Sequence, residues 1–425
     1  MRPGEPILII CHSFPPNSGI GGRRWAKFAK ELAHRGYTVH VIRNSTTARV
    51  RTSLWTNDVK NPNIIAHPLP DRYPGAMTRW PATTLWDKLG YGLWKRILPL
   101  CTKGNWYDRG LFWRKPLLDV AGELISEHGI RNVIVTGAPF SLMAYATELK
   151  ERFPGIHLVS DFRDMWTWGN YYGYQTIGAK RLRHEQHLEA LVARVSDRLI
   201  SPHPAVIDHL RQAHGVPAER LGVLAHAIDP EDLERPATKV RDGQFKMIYA
   251  GSMYGTKEAQ HYFALLLEAF ASLKEAKPER FAKCRFDLYI TDHGTQALEQ
   301  QVKDKGLEGT VRFHAPLPPK EIMKRIAASD IEMAFLPRDK KNTMVTKFAE
   351  IFYLGCPILH IGDPGLVSRT ITDRRMGDSL RLDELVSELP KIISGERAIE
   401  IDLNADHGGN LLANLTDQLV EEVLV

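Results

Sequence analysis

A chain of 425 residues is longer than one usual domain, and two domains of about 200 residues each are the first expectation. Its 43% hydrophobic and 25% charged residues are ordinary for a soluble globular protein with an ample core, and no tandem repeat or low-complexity tract sets it apart as a fibrous or disordered chain. A formal charge of +6 with a pI near 9.0 favours anionic partners without choosing among nucleic acid, a membrane surface and phosphorylated ligands.

Four cysteines, Cys11, Cys101, Cys284 and Cys356, lie far apart without pairing or metal-ligand spacing, and they read as reduced core thiols of a cytoplasmic protein. Ile7 to His12 is too short for a signal segment, and no apolar run reaches the roughly 18 residues that span a bilayer.

Ile7 to Cys11 is a continuous apolar run, as in a buried parallel strand. It leads through a Pro- and Gly-rich loop ending in Gly21 and Gly22 to a helix with Trp25, Phe28, Ala29, Leu32 and Ala33 at helical spacing. Strand, glycine loop and helix open a doubly wound domain, and Tyr37 to Ile42 supplies the next strand. The glycines lack dinucleotide spacing, and Arg43 and Asn44 stand where an acidic residue would take a ribose, so a nicotinamide cofactor is disfavoured. Gly21 and Gly22 would instead let a ligand approach backbone amides near Arg23 or Arg24, which makes Gly21, Gly22 and Arg23 candidate donor-binding residues; the bland alternative is a tight turn.

Between residues 77 and 115, Trp80, Trp86, Trp94, Trp106 and Trp113 alternate with many basic residues. The mixture suits an interfacial segment on a membrane surface. Stacking on nucleic acid or a lid packed on the core are the rival readings, and nucleic acid is the least favoured.

Val133 to Gly137 and Ile156 to Ser160 read as further buried strands. The second delivers Asp161, Arg163 and Asp164 to a strand end, where open parallel sheets place their sites. Two carboxylates around one arginine suit orientation of an acceptor hydroxyl or general-base work, with a structural ion-pair cluster as the alternative.

Residues 231–244 are charged and without apolar periodicity, and they read as a linker between domains at 1–230 and 245–404. A second strand-loop-helix start follows: Phe245 to Ala250, then Gly251, Ser252 and a loop to Lys257, then a long helix. Alternation continues to Asn342, Thr343, Met344, Val345 and Thr346, a donor-rich turn that runs into a short helix stopped by Gly355 and Pro357. Lys347 in that helix's first turn is unfavourable to the dipole unless an anion sits there, and Glu350 follows one turn on. Together they suit a phosphate carrying a hydroxylated sugar; a surface Lys–Glu pair is the alternative.

In order along the chain, Phe14-Pro15-Pro16 with the glycines to Gly22 and Arg23, the run Asp161 to Trp166, His226 to Asp229, Gly251 to Lys257, and Lys347 to Glu350 with Gly355 and Pro357 resemble the nucleotide-sugar glycosyltransferases of glycosyltransferase family 4. The resemblance covers nearly the whole chain. It implies an α/β protein of two Rossmann-like domains facing across a cleft, the GT-B fold, with a last helix within 405–425 crossing back onto the first domain.

It further implies a donor site with Glu350 on the ribose hydroxyls and with Lys257 and the amides before the 346–354 helix on the diphosphate, while the N-terminal domain takes a glycan or lipid-linked acceptor. Asn342 stands where the family commonly has a second glutamate, and Ser252 where it commonly has an arginine. The expected reaction is metal-independent transfer with retention from a nucleoside-diphosphate sugar, needing no cofactor, in surface polysaccharide assembly on the inner membrane face. The rivals are an inverting transferase with Asp161 or Asp164 as base, a sugar-nucleotide epimerase, and a non-catalytic nucleotide-sugar-binding partner.

Overall fold

The computed structural model describes the chain except residues 1–3, 18–19, 46–52, 54, 79–83, 170–171, 234–241, 254–256, 292–294, 339–340, 342–345 and 403–409. It divides into two units, Met1–Ala227 with Leu412–Val425, and Ile228–Leu411.

The N-terminal unit is built on seven strands: β1 (Pro6–Ile10), β2 (Thr38–Asn44), β3 (Ile64–Leu69), β4 (Asn132–Gly137), β5 (His157–Phe162), β6 (Arg198–Ser201) and β7 (Leu221–Val223). They lie in the order β3-β2-β1-β4-β5-β6-β7, all parallel. The apolar runs at β1, β4 and β5 are continuous because these strands are covered on both faces, as the two core clusters record: Leu8, Val133 and Leu158 face one, Ile7, Ile134 and Val159 the other.

The second unit repeats the plan with β8 (Phe245–Gly251), β9 (Cys284–Ile290), β10 (Val311–Phe313), β11 (Ile331–Phe335), β12 (Ile358–Ile361) and β13 (Gly377–Leu380). Their order is β10-β9-β8-β11-β12-β13, again all parallel. Both are doubly wound sheets whose strand order reverses beside the first strand, at β1/β4 and at β8/β11.

Sequence periodicity misses β3 and β13. Both are edge strands; β3 carries Pro68 and exposed positions, and β13 is the short polar stretch Gly-Asp-Ser-Leu, so neither shows an apolar run. The strand expected to stop at Ser160 extends through Phe162, which places Asp161 inside the sheet.

The helix Leu412–Gln418 and the π-helical turn Leu419–Val423 belong to the N-terminal unit. Arg35 pairs with Asp417 and donates to the Ala413 carbonyl at 2.7 Å. Beyond the turn, the Asn132 side chain donates to the Val425 carbonyl at 2.9 Å and accepts from its amide at 3.1 Å.

Candidate functional site

In the second unit a pocket of about 280 Å³, part of it open to solvent, lies at the C-terminal ends of β8 and β11, where the strand order reverses. Open α/β sheets bind their ligands at this point. Tyr249, Gly251 and Ser252 form one wall and Ala334 to Leu336 another, and Lys347 and Phe348 of the helix Thr346–Tyr353 close it. Gly251 has φ +154°, a backbone conformation that favours glycine, and a Cβ there would lie 3.7 Å from Lys347 Nζ.

Lys347 is a partner of the sheet as well as of the pocket. Its ammonium donates to the Ala250 carbonyl at 2.5 Å and to Glu332 Oε1 at 2.8 Å, and it lies 5.5 Å from the Tyr249 ring centroid. Glu332 is fully buried in β11. Burial pushes its carboxyl above the ordinary range, and the charge and hydrogen bond of Lys347 work in the opposite direction. An ammonium has three donors. Two are spent on Ala250 and Glu332, so one remains for an anion in the pocket.

The Tyr249 hydroxyl donates to the Ser252 carbonyl at 2.6 Å and fixes the turn after β8. Glu350 is half-buried one turn beyond Lys347. Asn342, Thr343, Met344 and Val345 lie outside the described residues, and so do the side chains of Thr346 and Lys257, which begin the helices Thr346–Tyr353 and Lys257–Ala276.

The corresponding reversal in the N-terminal unit gathers a second cluster. Arg163 donates from Nη1 to the Gly21 carbonyl at 2.7 Å and from Nε to Asp164 Oδ2 at 3.0 Å. Asp164 Oδ2 also accepts from the Tyr172 hydroxyl at 2.8 Å. A Cβ on Gly22 would lie 2.0 Å from the Ser13 carbonyl oxygen, so backbone approach requires that glycine, whereas a Cβ on Gly21 would lie 2.6 Å from Arg163 Nη1, the mobile end of a side chain.

Asp161, although adjacent in sequence, is turned into the core. It is fully buried, and its Oδ2 accepts from Trp25 Nε1 at 2.7 Å, Thr136 Oγ1 at 3.0 Å and Arg24 Nε at 3.2 Å. Arg24 continues to the carbonyls of Ala225 and Leu224, and Arg23 to that of Ala227. The structure therefore joins Gly21, Arg163 and Asp164 into one accessible group and assigns Asp161 and Arg24 to a buried pair.

Sequence reasoning missed Glu332 and Tyr249 in the second unit and His12 in the first. His12 lies two residues beyond β1, is buried against Trp113 with ring centroids 4.9 Å apart, and has its pKa lowered to about 4 by burial. A histidine at the C-terminal end of the first strand is the signal that would have pointed to it.

Within 77–115 the tryptophans divide. Trp113 is buried in the core and Trp106 packs beside it, whereas Trp80 lies outside the described residues. The helix Leu85–Cys101 buries only Leu98 among its residues. Leu85, Trp86, Leu89, Leu93 and Leu100 are 56–86% exposed. At about 100° per residue they share one arc of about 100°. Lys88 and Lys95 lie to one side of that arc, and Arg96 lies within it, all exposed. No helix among the described residues is long and apolar enough to cross a membrane.

No protein-family model matches the sequence, and no curated protein matches it. Solved structures do match in fold. Sucrose-phosphate synthase from Thermosynechococcus elongatus aligns at TM-score 0.58 and 12% identity over 99% of this chain and 95% of its own. The lipopolysaccharide outer core galactosyltransferase WaaB aligns at 0.53 and 13% over 98% and 96%. UDP-GlcNAc 2-epimerase from Neisseria meningitidis, solved with UDP-GlcNAc bound, aligns at 0.57 and 13% over 98% and 99%. With its two doubly wound sheets, the chain has the fold of these structures, two Rossmann-like domains of the GT-B class.

Proposed function

We propose that this protein is a glycosyltransferase that moves a sugar from a nucleoside-diphosphate sugar to a glycan or lipid-linked glycan acceptor. The observation that carries this reading is the pocket at the β8/β11 reversal, where Lys347 keeps one ammonium donor beside the Gly251–Ser252 backbone. The donor's diphosphate takes that position, with the amides of 342–346 and Lys257 completing its cradle and Glu350 on the ribose.

Departure of the nucleoside diphosphate leaves charge on its phosphate, and fixed donors stabilise it without reorganising. We assign that work to Lys347, Lys257 and the helix amides, in a metal-independent reaction. Arg163 bounds the acceptor side in the N-terminal unit. Asp161 is sealed in the sheet and Asp164 is tied to Arg163 and Tyr172, which supports same-face transfer with retention, the leaving phosphate taking the acceptor proton. The exposed apolar arc and cations of Leu85–Cys101 suit a lipid surface, so the protein works in the cytoplasm on the inner membrane face, in surface polysaccharide assembly.

The test has two arms. Nucleoside diphosphates should raise the unfolding temperature of the wild-type protein. Incubation with the matching nucleotide sugar and a lipid-linked acceptor should yield a glycoside that keeps the donor's anomeric configuration by NMR. An inverted product would reject retention. Turnover of the sugar nucleotide to an epimer or free sugar without acceptor would favour the epimerase reading that one of the fold's neighbours makes possible.

A further inference from the structure

Glu189, His209 and His214 converge within the N-terminal unit. Glu189 projects from the helix Ala179–Val195, and both histidines come from the helix Pro204–His214, one near its middle and one at its last residue. His209 Nε2 lies 3.2 Å and His214 Nε2 3.8 Å from the same oxygen, Glu189 Oε1. Glu189 is fully buried and the two rings are largely covered.

Three polar atoms thus meet at one point in two His–Glu contacts, neither of which is aligned as a hydrogen bond. At 3.2 Å an aligned imidazole N–H would bond the carboxylate; here the alignment fails. Buried polar atoms rarely lack an aligned hydrogen bond, and three facing one another offer a shared site to a cation. Ligands of a tetrahedral zinc ion, each about 2.1 Å from the metal, stand about 3.4 Å apart. The separations of 3.2 and 3.8 Å bracket that value.

The surroundings are built to hold such ligands. The other carboxylate oxygen, Glu189 Oε2, accepts from the Thr167 hydroxyl and from its amide, which fixes the carboxylate's rotation. Trp168 stacks on His209 with centroids 4.7 Å apart and interplanar angle 27°. We propose that Glu189, His209 and His214 bind a divalent transition-metal ion of the zinc type, with water in the fourth position. Two imidazoles with one carboxylate favour zinc over calcium or magnesium, which prefer all-oxygen shells. The ion would tie two helices to the segment that follows Asp164, a positioning role separate from the donor pocket.

The test uses the full chain stripped with a chelator, dialysed and titrated with Zn²⁺ against a competing zinc dye. Wild type should bind one equivalent, and H209Q and H214Q should each weaken it at least about tenfold. Loading with Co²⁺ should give the intense visible bands of a four-coordinate ion in wild type and not in the variants. Zn²⁺ should also raise the unfolding temperature of wild type alone. Circular dichroism of the two variants, whose replaced side chains are partly exposed, checks their folding. Should either variant fail to fold, pulsed EPR of Cu²⁺-loaded wild type must show imidazole coupling from two histidines. No binding by wild type, or an equivalent that survives in both folded variants, overturns the site.

Discussion

Lys347 Nζ lies 2.8 Å from Glu332 Oε1, and that carboxylate is fully buried while the lysine reaches a pocket. The pair makes Glu332 a competitor for any anion that Lys347 holds. Replacing Glu332 by Gln should therefore tighten nucleoside diphosphate binding by roughly one charge interaction, several-fold at low salt, and Lys347→Met should weaken it; isothermal titration calorimetry reads both.

The same pair sets a pH dependence for Lys347→Met. Burial already raises the Glu332 pKa, and removing the ammonium removes an influence that lowers it. A carboxyl whose folded pKa lies above its unfolded pKa loses stability as pH rises between the two. The variant should be near wild type in acid, where Glu332 is protonated, and fall behind as pH rises, by about 3 kcal/mol near neutrality. Urea unfolding across that range checks it, and a pH-independent deficit would count against a buried carboxylate as the cause.

Asp161→Asn and Asp164→Asn should separate cleanly. Loss of the Asp161 charge leaves the buried Arg24 uncompensated and should cost about 3–5 kcal/mol. Asp164, partly exposed, should cost under about 1 kcal/mol. If Asp164→Asn folds normally yet abolishes transfer, the retaining scheme is in difficulty and a base at Asp164 gains ground.

Gly21→Ala and Gly22→Ala test the turn after β1. A methyl at Gly22 meets the Ser13 backbone carbonyl, which cannot yield, so a loss of about 1–3 kcal/mol is expected from overpacking. At Gly21 the methyl meets only the Arg163 guanidinium, a side chain that can swing. That variant should stay folded and lose kcat/KM, and equal stability losses would disprove the distinction.

Leu85, Trp86 and Leu89 changed together to Ser should abolish sedimentation with anionic vesicles and leave thermal stability nearly unchanged, because exposed side chains contribute little to folding. Retained binding would remove this helix from any membrane contact.

How much of this was legible before folding depends on how far apart the partners stand. β1 and β8 announced themselves as apolar runs followed by a glycine turn and an amphipathic helix, a local signal. Glu332 did not, because its partner is on another element and a charged residue inside a five-residue strand reads as a solvent-facing position. Asp161, Arg163 and Asp164 looked like one cluster, yet Arg24 and Trp25, remote in sequence, draw Asp161 inward. Glu189 and His209 match no spaced motif, since packing of two helices alone sets them face to face.

The tail that returns to β4 has a consequence for how the molecule is made. The N-terminal unit is discontinuous: its last helix emerges only after all of 228–411 has been synthesised, so its hydrophobic seam along Ala29 and Leu32 waits for Leu415 and Leu419. Yet the chain leaves and re-enters at neighbouring points, for Ile228 and Leu411 form a parallel bridge. Excising 228–411 and joining Ala227 to Leu412 would turn an interrupted architecture into a continuous one.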